Sequence, residues 1–504
     1  MTPQQERGKV IYHTGNSPTT NERITAYFGS DRIAIPAETS PCASCHGYDG
    51  TGRPESGLTP ANITWKFLTK SYGHLHPKGA KHSPFTEQSL KDYLQHGTYP
   101  GSSTGDPSMP VYDFSEIDLD DLVAFLKLLG SLQDPGLSDE TIRIGTVLPN
   151  RGAVGEIGLS MQKVLAAYFT EINKQGGLYG RKIELAVLPA AAPNEWRRKA
   201  AAAAADKGLF ALLSTFTPGL DLEYQSSWAD ADLPLVGPFT LYPLNKFEKN
   251  RQAFFLFTGL LEQIQVLLQF WEEKHPGPKK PLAVIYQEKP ESKWLIQEME
   301  TDLRSRGWDR LRKIPSGNSV QAMADTLAVL QREEIALLIF LGEEKQARAF
   351  LQAAARENFL PDVLMPGALA GSLIVDADPK FANRLYLAYP SLAIDRQPVE
   401  LKEFLEFLRI HQIKPAHLQA QTTAFVAAQI MMEGLRRSGR QLDRRKFITE
   451  LENLYKFETG LAPSVSYSRN RRIGALGAHV VEFQIPTGKN SNPTENSKWV
   501  DLGK

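Results

Sequence analysis

The chain's two cysteines lie three residues apart, and a histidine follows the second: Pro41-Cys42-Ala43-Ser44-Cys45-His46-Gly47. Cys-x-x-Cys-His is the attachment signature of a c-type haem. Each thiol can add to one vinyl group of the porphyrin, and the adjacent histidine then lies under the iron as an axial ligand. Other chemistries also use a cysteine pair. Zinc would need His74, His76 or His82 to complete its set, although structural zinc favours a second cysteine pair or a spaced histidine pair. A thioredoxin-like pair opens a helix after a strand. Here the motif instead runs into Gly47-Tyr48-Asp49-Gly50-Thr51-Gly52-Arg53-Pro54, a glycine-rich loop. One covalent haem c is therefore the expected cofactor.

A sixth iron ligand would have to come from the far side of the porphyrin. From residue 2 to residue 160 the one methionine is Met109, in Pro107-Ser108-Met109-Pro110-Val111-Tyr112, and thioether ligation raises a haem's reduction potential. The plain alternative is a core methionine filling a gap. His74, His76, His82 and His96 are rival nitrogen ligands, but loop histidines are commonly solvated or hydrogen-bonded. No phosphate-binding loop, dinucleotide fingerprint or nucleophile triad spacing is recognisable in the sequence.

Helices must position these groups. A first helix is expected from Pro3 to Tyr12, with Val10 and Ile11 apolar and Gly8 near its middle, where glycine costs up to about 1 kcal/mol against alanine. A second is expected from Leu119 to Leu129, where Leu119, Leu122, Val123, Leu126 and Leu129 recur at helical spacing, with Ser115 or Asp118 as its cap. Gly8-x-x-x-Tyr12, the haem motif and the Met-Pro loop ahead of the last helix together resemble class I cytochromes c. That resemblance implies that Gly8 lets the two helices cross closely and that His46 and Met109 are the axial ligands. The connection from Gly15 to Thr39 is longer than the family's and is read as an added hairpin or lid.

At 504 residues the chain exceeds what one core usually covers, so further domains are expected. Lys plus Arg and Asp plus Glu each total 57, a balance that gives no electrostatic case for nucleic acid or an anionic membrane as partner. No apolar run approaches the length that spans a bilayer. The opening residues lack a secretory pattern. Haem c attachment in the resembled bacterial proteins takes place outside the cytoplasm, which implies a periplasmic protein whose leader was removed or lies upstream of this numbering.

After Gly130, Leu132-Gln133-Asp134-Pro135-Gly136-Leu137-Ser138-Asp139-Glu140 reads as a linker. Strand and helix patterns then alternate: strand at 141–148, helix at 156–174 stopped by Gly176-Gly177, strand at 181–187, alanine-rich helix at 194–207 and strand at 209–214. Later strands include 282–286 and 335–340. Such alternation indicates parallel sheets covered by helices. Ile144-Gly145-Thr146-Val147-Leu148-Pro149, Ile172-Asn173-Lys174-Gln175-Gly176-Gly177-Leu178-Tyr179-Gly180-Arg181 and Gly460-Leu461-Ala462-Pro463-Ser464-Val465-Ser466-Tyr467 resemble type I periplasmic binding proteins of the leucine/isoleucine/valine receptor family. The family's fold has two α/β lobes joined by three crossings, with ligand in the cleft. Crossings are expected near Phe257-Thr258, Pro390-Ser391 and Gly460.

The family's carboxylate-holding serine aligns with Pro218, and its ammonium-holding acid with Gly367-Ala368-Leu369. A proline offers no hydroxyl, and a buried ammonium without a counter-charge is heavily penalised, so an ordinary amino acid fits poorly. Thr217 and Thr240 remain as cleft-lining hydroxyls, unless they only satisfy local turns. Glu262, opening the second lobe's first helix, is a third candidate beside the bland reading of a helix-start carboxylate.

The expected architecture is thus multidomain. An all-α cytochrome c domain covers 1–131 and a linker 132–140. A two-lobed binding-protein fold covers 141–487, with lobe 1 at about 141–257 and 391–460 and lobe 2 at about 258–390 and 461–487. A flexible tail is expected at 488–504. The expected role is electron transfer, without catalysis, through haem c held by Cys42, Cys45, His46 and Met109. The second module would dock a partner or sense an unknown small molecule. The resemblance suggests a periplasmic quinoprotein dehydrogenase as redox partner, and a solute receptor for an ABC importer as the alternative role.

Overall fold

The computed structural model describes residues 1–503 except 21, 53–59, 76–80, 102–103, 131–132, 153, 192–194, 196–197, 200, 204–205, 207, 218–232, 244–250, 318–319, 374–376 and 485–496. The chain divides into two compact units, Met1–Gln133 and Asp134–Lys504.

In the first unit, α1 (Pro3–Thr14) is opened by a capping box between Thr2 and Gln5 and closed by Gly15 in the left-handed region. A hairpin follows, β1 (Thr25–Phe28) and β2 (Ile33–Pro36). Next come the single-turn α2 (Cys42–His46), the short α3 (Trp65–Leu68) and the paired β3 (His74–Leu75) and β4 (Lys81–His82). The unit ends with α4 (Glu87–His96), β5 (Val111–Asp113) and α5 (Glu116–Leu126). Ser115, not Asp118, caps α5: its hydroxyl accepts from the Asp118 N–H. A Cβ on Gly8 would lie 1.8 Å from the Asp121 carbonyl oxygen, so the glycine is what lets α1 and α5 cross. The long connection is the expected hairpin, and its β1 also pairs antiparallel with β5, Ala26 opposite Tyr112. These three strands add a small sheet to the helices.

The second unit has two sheets. Lobe 1 carries β6 (Thr141–Pro149), β7 (Lys182–Ala190), β8 (Ala211–Leu213), β9 (Leu235–Val236), β10 (Ala253–Phe257) and β16 (Ile473–Ala475), in the order β16-β10-β9-β8-β6-β7 and all parallel. Helix α6 (Gly155–Lys174) packs on this sheet, and lobe 1 gains α12 (Pro398–Ile410), α13 (Leu418–Ser438) and α14 (Arg444–Glu452) after the second crossing.

Lobe 2 runs α7 (Leu260–Lys274), β11 (Leu282–Tyr286), α8 (Pro290–Ser305), β12 (Leu311–Pro315), α9 (Val320–Arg332), β13 (Leu337–Leu341), α10 (Glu344–Arg356), β14 (Asp362–Pro366), α11 (Gly367–Ala370) and β15 (Leu385–Tyr389). Antiparallel β17 (Gly477–Glu482) and β18 (Lys498–Asp501) complete its sheet. Successive β11 residues feed opposite faces, Leu282 and Val284 packing with α7 and α8, Ala283 and Ile285 with α10.

Three boundaries differ from the sequence reading. The third crossing lies between β16 and β17, at Leu476 and not near Gly460, because Phe255 and Phe257 draw Ile473 and Ala475 into the lobe 1 sheet. The end of the chain is not all tail: β18 pairs with β17, and Val500 is buried. The segment read as a linker is built into the second unit from Asp134 on. Leu137 is buried and bridges Ile142, the Gly136 carbonyl accepts from the Arg143 N–H, and the Asp134 carboxylate accepts from the Arg444 N–H. Loop-forming residues had concealed one buried leucine.

Candidate functional site

The haem motif occupies α2, whose i, i+3 spacing places the two thiols on one side of a single turn. Gly47 ends that turn at φ 76°, ψ 173°, a conformation open essentially to glycine alone. Its carbonyl accepts a 2.6 Å hydrogen bond from the Tyr12 hydroxyl, tying the turn to α1. His46 is buried, and its Nδ1 lies 2.8 Å from the Ala61 carbonyl oxygen. A carbonyl can only accept, so Nδ1 carries the proton and Nε2 keeps its lone pair. Burial also pushes the His46 pKa down, favouring the neutral imidazole that ligates metal.

Cys42 is buried and Cys45 exposed. Burial pushes the Cys42 thiol up to about 11, and Tyr112 is buried in the same core. A dithiol oxidoreductase needs the reverse, a thiol made acidic, so the environment opposes the thioredoxin-like reading. Among the described residues, which leave out His76, no three His, Cys, Asp or Glu side chains are grouped to hold a metal ion.

Met109 is half-buried against the unit's core. Its loop is held on one side by a turn, the Met109 N–H donating to the Asp106 carbonyl at 3.0 Å. On the other side β5 pairs with the hairpin. Tyr112, three residues beyond Met109, is buried in the same core cluster as Cys42, and Met109 packs against that cluster. Two of the rival histidines, like His46, hold one ring nitrogen on a backbone carbonyl. His74 Nε2 lies 3.0 Å from the Leu68 carbonyl oxygen and His82 Nδ1 2.7 Å from that of Ser83. His96 is the exposed last residue of α4, and His76 lies outside the described residues. The residues present fit a haem c: two cysteines on one turn, a buried neutral His46 beside them, and the Met109 loop packed against the same core. Sequence reasoning did not single out Ala61 or Tyr112; the alternation Val111-Tyr112-Asp113 beside Met109 was the one available signal for the latter.

In the second unit, Thr217 and Thr240 come together at the C-terminal edge of the lobe 1 sheet, where open α/β sheets bind ligands. The Thr217 N–H donates to the Phe239 carbonyl at 3.0 Å, the Thr240 hydroxyl accepts from the Tyr242 N–H at 3.0 Å, and the Phe216 and Phe239 rings stack at 5.4 Å. Pro218 lies outside the described residues. Gly367-Ala368-Leu369 forms most of α11 and brings no carboxylate. Glu262 belongs to the hinge: its Oε2 accepts from the Gly259 N–H at 3.0 Å, and burial pushes its pKa up to about 7. Beside it the Thr258 hydroxyl donates to the Gly477 carbonyl at 2.9 Å, tying the first crossing to the third.

Comparison with known proteins agrees with both halves. A family model described as periplasmic binding protein matches residues 141–487, and one described as cytochrome c matches 37–130. A search of curated proteins found no match. Among solved structures, a fatty acid ABC transporter substrate-binding protein from Thermomonospora curvata is 15% identical with TM-score 0.53, covering 73% of this chain and 94% of its own. A leucine binding protein from Thermotoga maritima is 14% identical with TM-score 0.53, covering 72% of this chain and 99% of its own. A type 1 periplasmic binding protein from Bordetella pertussis is 14% identical with TM-score 0.52, covering 72% and 100%. Identities this low establish the fold alone.

Proposed function

Since the chain belongs to the periplasmic binding protein family and carries a cytochrome c domain ahead of that fold, we propose that it is a periplasmic electron-transfer protein with one covalent haem c. The observation that carries this is His46, buried beside two cysteines with Nδ1 on the Ala61 carbonyl and Nε2 left to bind iron. Bound there, haem supplies one-electron redox chemistry. Cys42 and Cys45 would hold the porphyrin, the Ala61 carbonyl sets the tautomer of His46, and Met109 would supply a thioether that raises the potential. His46 and Met109 would both hold the iron, which would leave the protein a carrier and not a catalyst. No described helix is long and apolar enough to cross a membrane, and both families are typically periplasmic. A periplasmic quinoprotein dehydrogenase is a fitting electron donor. The second unit then docks a partner or senses a small molecule at the Thr217 and Thr240 edge.

The test is direct. Haem should stay on the wild-type chain through denaturing electrophoresis and acid-acetone extraction; its release would refute covalent attachment. Met109→Ala should lower the reduction potential and let the ferrous protein bind carbon monoxide, which wild type should bind poorly. If spectrum and potential were unchanged in that variant, another group holds the sixth position.

A further inference from the structure

Between Trp65 and Thr86 the chain has four lysines, Lys66, Lys70, Lys78 and Lys81, and no acidic residue. In a chain of zero formal net charge this is a local excess of positive charge. Lys66 and Lys81 are exposed, and among the described residues neither they nor Lys70 has an ion-pair partner. Large apolar side chains stand among them, with Tyr72 84%, Leu75 67% and Phe67 36% exposed. The groups are contiguous. The Lys70 ammonium sits 4.0 Å from the Phe67 ring centroid and 5.0 Å from that of Tyr72, Phe67 meets His74 edge-on, and Leu75 faces Lys81 across the β3–β4 ladder. Unpaired lysines beside exposed rings are what a protein with an acidic face can cover: rim charges steer the encounter, and the apolar centre is desolvated on docking.

Behind this face lies a column of stacked rings. His74 stacks on His82 at 4.7 Å, His82 on Tyr99 at 4.5 Å and Tyr99 on Tyr93 at 4.8 Å, the last two pairs inclined by 11°. At its far end the half-buried Tyr93 packs against Gly105, where a Cβ would meet its ring at 2.7 Å, in the loop that continues to Met109. The exposed patch is thus joined to the sixth-ligand loop by rings in van der Waals contact.

We propose that the face formed by Lys66, Phe67, Lys70, Tyr72, Leu75 and Lys81 is where the cytochrome c unit docks an acidic redox protein and exchanges one electron with it. This rests on the electron-carrier reading above. The step moves one electron between the partner's redox centre and the haem iron, with no bond made or broken.

A reduced plant-type ferredoxin, an acidic one-electron donor, serves as probe on the full-length holo-protein. The oxidised ferredoxin, which transfers nothing, should protect Lys66, Lys70 and Lys81 from acetylation at low salt at least fivefold more than Lys402 and Lys414. Combined Lys66→Glu, Lys70→Glu and Lys81→Glu should slow reduction by ferredoxin at least tenfold at low ionic strength, with the difference vanishing in high salt. Tyr72→Ser with Leu75→Ser should slow ferredoxin several-fold and leave oxidation by ferricyanide, a small anion, unchanged. An unaltered haem spectrum confirms folding of each variant. Uniform acetylation protection, an unchanged rate in the lysine variant, or no effect of the apolar pair on ferredoxin would each overturn the docking face. Loss of haem from wild type would refute the carrier reading, while the acetylation pattern would still report on the face.

Discussion

The Cys42-x-x-Cys45-His46 motif could be picked out from sequence because haem c attachment demands a fixed local spacing, and Met109 was proposed because it is the one methionine in its stretch. Ala61 was not, since it acts through a backbone oxygen delivered by the fold from fifteen residues away. Glu262 is the residue whose meaning changed most. Taken from sequence as a cleft candidate, it accepts the Gly259 N–H inside the hinge with a pKa raised from 4.5 to about 7. A carboxyl whose pKa is higher in the folded state binds its proton more tightly there than when unfolded. Stability therefore falls as pH rises from 4.5 toward 7, by at most about 3 kcal/mol for this shift, and the loss persists above it. Glu262→Gln keeps an oxygen for Gly259 and removes the charge. Thermal melts should show this variant matching wild type at pH 4.5 and exceeding it at pH 8; equal melting temperatures at both would place the burial cost elsewhere.

Periodicity and turn residues located most elements, since an amphipathic helix such as α5 or a buried run such as β13 declares itself locally. Register between distant strands does not. The third crossing was misplaced because β16 is three residues long and is recognisable only by its pairing with β10. The hairpin's pairing with β5, which braces the Met109 loop, was equally invisible, because it joins residues 25–27 to 111–113. The α1–α5 crossing was legible, as a helical glycine that local propensity could not explain. Gly8→Ala would press a methyl carbon against the Asp121 carbonyl at 1.8 Å. Helix propensity alone would stabilise such a change, but separating two packed helices should cost about 3 kcal/mol. Denaturant unfolding followed at the haem band should show that loss, with Lys9→Ala on the same helix near neutral. A stabilised Gly8→Ala protein would mean that the helices do not meet closely at this point.

At the scale of the whole molecule the question is where one cooperative unit ends and the other begins. Composition put a linker at 132–140, whereas packing assigns everything from Asp134 to the binding-protein unit. The two readings differ in what Gly136 should do. In a free linker, Gly136→Ala would slightly stiffen the unfolded chain and leave the folded state untouched. Gly136 instead has φ +75°, and a Cβ there would lie 2.1 Å from the Phe210 nitrogen and 2.3 Å from the Leu209 carbonyl carbon. Its carbonyl also receives the Arg143 N–H at the start of β6. Calorimetry of the holo-protein should resolve two transitions, one coinciding with loss of the native haem spectrum, since each unit has its own core. Gly136→Ala should then lower the other transition by several degrees, for a cost of about 2 kcal/mol. The haem-linked transition should stay in place, because no part of its core is disturbed. If both transitions fell together the units would be energetically coupled, and if neither moved, residues 134–140 would be a free tether after all.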